Sequence, residues 1–155
     1  EYLGGGFDLE GWKITVPQIG GDSYQKAIAL ALDRSGVKTS EVDLLCPHGV
    51  GSQPIDYYES QAITQVFGEN PKSLLFSAFK PYVGHNLGAS ALLETAILLL
   101  CLHHDTVLPV LNHEQPDPKF KLDFVTKKTE CQLNTVMKTC SAFAGFNAAA
   151  VFKKV

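Results

Sequence analysis

Apolar and polar residues alternate along the chain with two periods, and the switches between them outline its elements. In GDSYQKAIALALDRSG, residues 21–36, Tyr24, Ala27, Ile28, Ala31 and Leu32 form one stripe at helical spacing. Asp22 and Gln25 have the spacing of a capping box and Gly36 is a suitable stop, so a helix is expected here. The short apolar run VDLLC, residues 42–46, reads as a buried strand ending just before Pro47 and His48. A second helix is expected from about Asp56 to Phe67, with Ala62, Ile63, Val66 and Phe67 inward and Gly68 as its end. SLLFSAF, residues 73–79, reads as the next strand, and KPYVGHNLG as a loop punctuated by proline and glycine. An apolar helix should follow from about Ala89 to Leu102.

Further on, TVLPVLN reads as a strand and HEQPDPKFKLD as an ordered loop. NTVMKTCSAF and NAAAVFKKV read as two strands around AGF, an antiparallel pair. Strand, glycine-rich turn with a histidine, then helix occurs twice before this closing hairpin. That order predicts an α/β layered fold, a sheet covered by helices. The opening stretch, EYLGGGFDLEGWKITVP, has no polar lead-in and reads as if entered partway through a larger fold.

With 155 residues, 45% of them hydrophobic and 19% charged, the chain has enough apolar surface for one stable core. A formal charge of −3, with basic residues adjacent only in pairs such as Lys127-Lys128 and Lys153-Lys154, speaks against a nucleic-acid partner. Cys46, Cys101, Cys131 and Cys140 form no C-x-x-C pair and the N-terminus has no signal-peptide pattern, which predicts a reduced, cytoplasmic setting. The most apolar run, GASALLETAILLLCL, carries Glu94 at its middle and is shorter than the roughly 20 residues that span a bilayer. A buried helix of a protein outside the membrane is expected.

Three glycine-containing turns follow strands: Pro47 to Ser52, Lys80 to Gly88, and Ser141 to Asn147. Open α/β sheets build their sites at such carboxyl ends. Glycine lets backbone come close to a ligand, and His48 and His85 can each donate one ring N–H when neutral. One such histidine alone reads as a polar turn residue; two in matching loops weaken that reading. His103, His104 and His113 have no comparable setting, and the histidine and cysteine spacings fit no zinc pattern, so no metal is expected. Glu94, inside an apolar helix, needs a cation or donors to offset its desolvation. Lys80, in the same strand-loop-helix unit, is the nearest candidate on the sequence.

VDLLCPHGVGSQPIDYYES resembles the VDYVNAHGTGTPLGDxxE segment of β-ketoacyl-[acyl-carrier-protein] synthases and polyketide ketosynthases. FKPYVGHNLGASALLETAI resembles their K-x-x-x-G-H-x-x-G-A-A segment, and CSAFAGFNAAAVF resembles NSFGFGGTNAxLVF. WKITVP and PVLNHEQPDP are similar to YHxTAP and PTINLxxPDP. The motifs keep the family's order and approximate spacing over essentially the whole chain.

The resemblance implies a thiolase-like α/β fold in which residues 1–155 are the C-terminal half, a mixed five-stranded sheet covered by helices. It also implies decarboxylative condensation of an acyl thioester with malonyl-acyl-carrier protein in fatty acid or polyketide synthesis. His48 and His85 would be the catalytic histidines that stabilise the enolate from malonyl thioester, the work of an oxyanion hole. Lys80 would join them, Glu94 would support them, and Phe143 would gate the pocket. Gate and pocket positions are Val50, Ser52, Phe143, Ala144, Gly145 and Phe146. Val50 and Ser52 stand for two threonines of the motif, Ser141 for its first phenylalanine, and Ala144 and Phe146 for a glycine and a threonine.

None of the four cysteines matches the family's acyl-accepting cysteine, which lies in the other, N-terminal half; Cys46 reads as a core or lining residue. The implied partners are therefore that N-terminal half, acyl-carrier protein with its phosphopantetheine arm, and a second subunit, as a homodimer or a ketosynthase heterodimer. No further cofactor is implied, and the segment alone should be inactive. The competing reading is a non-catalytic partner akin to chain-length factors, towards which Ser141, Ala144 and Phe146 lean.

Overall fold

The computed structural model describes residues 1–18, 20–69, 71, 73–120 and 122–155. Its main sheet has five strands: β1 (Tyr2–Leu9), β2 (Leu44–Cys46), β3 (Leu75–Phe76), β6 (Thr135–Ala142) and β7 (Phe146–Lys153). Their spatial order is β1-β7-β6-β2-β3, with antiparallel pairing from β1 to β6 and parallel pairing from β6 through β2 to β3. The mixed five-stranded sheet is as expected. A second, two-stranded sheet pairs β4 (Thr106–Val107) with β5 (Thr129–Glu130).

Alternation along the strands sends side chains into two separate cores. Leu45 of β2 and Met137 of β6 pack with Tyr24, Ile28, Ala31 and Leu32 of α1 (Asp22–Ser35) and with Ala62 and Ile63 of α2 (Gln53–Phe67). Their neighbours one residue away, Leu44, Cys46 and Val136, face the other side. There they pack with Leu98, Cys101 and Leu102 of α4 (Ser90–His104). The period of two along β2 and β6 thus decides which helix each side chain meets.

Several boundaries differ from the sequence expectation. The helix at α1 forms with its apolar stripe buried, but Asp22 and Gln25 make no capping box. Gly21 occupies the cap in a left-handed conformation, and the Gln25 side chain instead donates to the Gly20 carbonyl at 2.8 Å. Helix α2 starts three residues before Asp56, with Pro54 in its first turn, where a missing N–H costs nothing. The expected strand over 106–112 shrinks to β4, since Pro109 has no N–H to donate to a ladder. The strand over 73–79 shrinks to β3, although Leu75 and Ser77 both donate backbone N–H groups to β2-side carbonyls. Lys80–Val83, read as loop, forms a one-turn helix, α3. Lys121, within the expected 113–123 loop, lies outside the described residues.

Strand β1 escaped the pattern because three consecutive glycines carry no strand signal. Their reason is tertiary. A Cβ at Gly6 would stand 2.7 Å from the Ala31 nitrogen, and one at Gly4 would stand 2.9 Å from the Ser35 nitrogen. Only hydrogen side chains let α1 lie this close on β1. The expectation of a buried helix at α4 holds on one face only. Glu94 and Leu98 are fully buried, while Leu92 is 76% exposed and Leu100 57%, with Leu93 and Leu99 also exposed. With its short lead-in, the segment Leu87–His104 is long and apolar enough to cross a membrane by length and composition. A fully buried carboxylate paired with two lysines instead marks α4 as a helix packed on protein.

Candidate active site

Because β6, β2 and β3 run parallel, the three glycine-containing turns that follow them emerge at one edge of the sheet. Their residues line one cavity of about 570 Å³: His48 and Val50 from the first, His85 and Leu87 from the second, Ser141, Phe143 and Gly145 from the third. The segment after β1 adds Ile14, Val16 and Pro17. The His48 and His85 rings meet edge to face, with centroids 5.7 Å apart and planes at 85°.

The loop carrying His48 is held by two carboxylates one turn apart on α2. Glu59 accepts the backbone N–H groups of His48 at 2.6 Å and Gly49 at 2.8 Å. Asp56 accepts those of Val50 at 3.0 Å and Gly51 at 2.9 Å. Four successive N–H groups can converge in this way because Gly49 and Gly51 have positive φ, 49° and 77°. Tyr24 also donates its hydroxyl to Glu59, and its oxygen accepts from the Thr139 hydroxyl at 2.8 Å. Burial raises the pKa of both Asp56 and Glu59 against the lowering effect of these donors.

The carbonyls of the same loop go to lysines. Lys138 Nζ donates to the Pro47 carbonyl at 2.8 Å, and Lys80 Nζ to the His48 carbonyl. Both also engage Glu94. Lys138 lies 2.5 Å from Oε2, and Lys80 lies 2.7 Å from Oε1, an ionic contact without hydrogen-bond alignment. Lys80 is 8% exposed, Lys138 4% and Glu94 0%. Two buried ammoniums therefore share the one carboxylate of Glu94 under the loop.

Burial first, then the positive charges of Lys80 and Lys138 and the nearby His85, lowers the pKa of His48 to about 3. The imidazole is thus neutral at ordinary pH and keeps one N–H to give. Its Nδ1 is buried with no protein partner, so the ring is uncommitted to the scaffold. His85 is oriented differently. Its Nδ1 accepts from the Leu87 backbone N–H at 3.3 Å and contacts Ser90 Oγ at 2.9 Å, while Ser90 Oγ itself accepts the Asn86 N–H. That pattern makes Ser90 a donor to Nδ1 and leaves the proton of a neutral ring on Nε2.

In the third turn, Ala144 holds φ of 63°, the left-handed region, where the resembled motif has glycine. Its N–H donates to the Ile14 carbonyl at 2.6 Å. Gly145 accepts the Glu10 N–H at 3.0 Å and has φ of 80°, and a Cβ there would strike Glu10. Buried Asn147 ties the turn to Ser23 of α1 at 3.1 Å. Phe143 is 68% exposed at the cavity mouth.

The structure therefore gathers His48, His85, Val50, Phe143 and Gly145 around one space, with Lys80 and Glu94 behind His48. Ser52, Ala144 and Phe146 do not line it. Ser52 precedes α2 without a side-chain cap bond, and Phe146 packs on Phe7 at 5.6 Å. Sequence reasoning missed Lys138, Asp56 and Glu59. Each left a signal: a lysine on the same face of its strand as Val136, and two acids three residues apart at a helix start beside a glycine turn. The four thiols are all raised by burial, Cys46 to about 11, so none is a ready nucleophile. Among the described residues, no three His, Cys, Asp or Glu side chains group to hold a metal ion.

Two histidines thus meet at one edge of a mixed sheet, backed by a buried lysine–glutamate network, and the fold that holds them is of the thiolase-like class. The chain belongs to the family described as beta-ketoacyl synthase, C-terminal domain, whose model matches residues 1–114. It is 31% identical, over its whole length, to 38% of 3-oxoacyl-[acyl-carrier-protein] synthase 2 of Coxiella burnetii. Among solved structures, the ishigamide ketosynthase/chain length factor superposes with a TM-score of 0.92 at 34% identity, covering 99% of this chain and 38% of that one. A type II PKS acyl-carrier protein in complex with its ketosynthase bound to the hexaketide gives 0.93 at 27% identity, covering 99% and 38%. The chain spans a little over a third of the length of these relatives.

Proposed function

We propose that this chain is the C-terminal portion of a β-ketoacyl synthase and supplies the decarboxylating half of its active site. The observation that carries the reading is the edge-to-face meeting of neutral His48 with His85 in one cavity, each with a ring N–H free for substrate. A malonyl thioester bound there loses CO₂ as the bond between its carboxylate and α-carbon breaks. The electron pair moves onto the thioester oxygen as an enolate. Preformed N–H donors aimed at that oxygen act on charge that develops only in the transition state, which is where donors accelerate a reaction most. The enolate carbon then attacks an acyl thioester, a carbon–carbon bond forms, and the thiolate leaves.

The acyl-bearing thiolate comes, on this reading, from another part of the enzyme, since burial disfavours ionisation of every cysteine here. Phe143, exposed at the mouth on a turn with two residues at positive φ, is placed to admit or exclude the acyl chain. The substrates are carried on acyl-carrier protein, and the pathway is fatty acid or polyketide synthesis.

The test is malonyl-thioester decarboxylation by the full-length protein and by its His48→Ala and His85→Ala variants. Each variant should lose roughly 10²-fold or more in rate, the effect of removing one oxyanion donor. Unchanged rates in both would end the mechanism. An inactive wild type that nonetheless alters product length when paired with an active ketosynthase would mark the chain-length-factor reading instead.

A further inference from the structure

We propose that Lys138 is a positioning residue for His48: through Pro47 and Glu94 it sets the strand end and loop that present the imidazole, an inference that rests on the decarboxylating role proposed above. Lys138 belongs to none of the sequence motifs that carry the family resemblance around His48 and His85. It stands opposite Cys46 in the parallel register of β6 and β2, in the middle of the sheet. Alternation aims it with Val136 and Leu44 towards α4, where an apolar side chain would simply extend the core. A buried ammonium there is disfavoured relative to an apolar residue unless its protons find partners. Burial opposes its charge, yet Cys46 if ionised and Glu94 together hold its pKa above the ordinary lysine value.

Its bonds show what it holds. Lys138 takes the carbonyl of Pro47 and Lys80 takes that of the next residue, His48 itself. The same two ammoniums contact opposite oxygens of Glu94. Consecutive carbonyls of the loop are thus tied to one carboxylate on α4, while the loop's N–H groups are tied to α2. Each lysine holds one of the two carbonyls, and neither holds both. Around the His48 ring, β6 contributes Lys138 and Cys140, α3 contributes Lys80, and the following loop contributes His85. Glu59 of α2 holds its backbone, and Glu10 and Lys13 lie along the cavity wall. Burial does most to keep the ring uncharged, and Lys138 is one of the two lysines whose repulsion adds to it.

The experiment uses the full-length protein with isotope-labelled histidine, His48 being assigned by its disappearance in His48→Asn. In Lys138→Met the titration midpoint of His48 should rise by about one unit, because a nearby cation is gone. The kcat of malonyl decarboxylation should fall about 10-fold with KM unchanged, as expected when a donor shifts from its place. Lys138→Arg, which keeps charge and donors, should restore most of both. Should Lys138→Met not fold, Lys138→Gln, which keeps a donor but no charge, must still raise the midpoint. A folded variant with His48 titration and kcat as in wild type overturns the proposal and leaves Lys138 a counter-charge only. The titration needs no turnover, so a wild type without decarboxylase activity would refute the functional reading while His48 still reports on Lys138.

Discussion

Glu94→Gln removes the one carboxylate that both buried lysines share, and keeps the shape of the side chain. Lys80 and Lys138, at 8% and 4% exposure, are then left with the carbonyls of His48 and Pro47 as their partners. Both ammoniums are buried, so neither turns to water without repacking its surroundings. Breaking a buried ion pair by deleting one partner costs about 3–5 kcal/mol, and here a single deletion strands two charges. Against a typical total stability of about 5–15 kcal/mol, that is a large fraction. In a full-length protein of the relatives' size, of which this chain spans 38%, the thermal midpoint should fall by roughly 3–6 °C. Adding Lys138→Met to Glu94→Gln removes one of the stranded charges, so the double variant should recover at least about 1 kcal/mol relative to Glu94→Gln alone. Denaturant unfolding of the wild type, both single variants and the double variant measures this directly. A Glu94→Gln protein within about 0.5 kcal/mol of wild type would refute the claim that the cluster is held by shared charge.

His48 predicts a second effect, in pH. Its folded pKa, about 3, lies below its ordinary 6.5, so the unfolded chain binds more protons between those values. Its contribution to stability is therefore complete above pH 6.5 and is lost as pH falls towards 3. By pH 4 the loss is about 3 kcal/mol. The difference in unfolding free energy between pH 8 and pH 4 should shrink by about that amount in His48→Gln; an unchanged difference would contradict it. A third prediction concerns the exposed leucines of α4: the 155-residue chain alone should self-associate at micromolar concentration, and Leu92→Glu with Leu100→Glu should reduce this. A monodisperse wild-type monomer by light scattering would show that this apolar face needs no cover.

Local pattern was enough for α1, α2, α4, β2, β6 and β7, since each buries a stripe or an alternating face that the sequence displays. It was not enough for β1, whose glycines look like a loop until α1 is seen lying on them. Nor did the capping box at Asp22 and Gln25 form, because glycine in the left-handed region capped the helix first. The two histidines, Lys80 and Glu94 could be named from motifs. Their grouping at one sheet edge follows from the parallel pairing of β6, β2 and β3.

Residue order by itself determined the two periods, the three glycine turns after strands and the buried acid in need of a cation. Only tertiary structure decided which cation that would be. Lys80 is 14 positions from Glu94 and in the same unit, whereas Lys138 is 44 positions away on a strand that pairs with β2. The register of β6 against β2, a long-range property set by two cores on opposite sheet faces, brought it beneath His48. Likewise, only packing could lower the pKa of His48, because desolvation and neighbouring charge are properties of a place in the fold. The histidine in CPHGVGS is written in the chain; its neutrality is made by what folds around it.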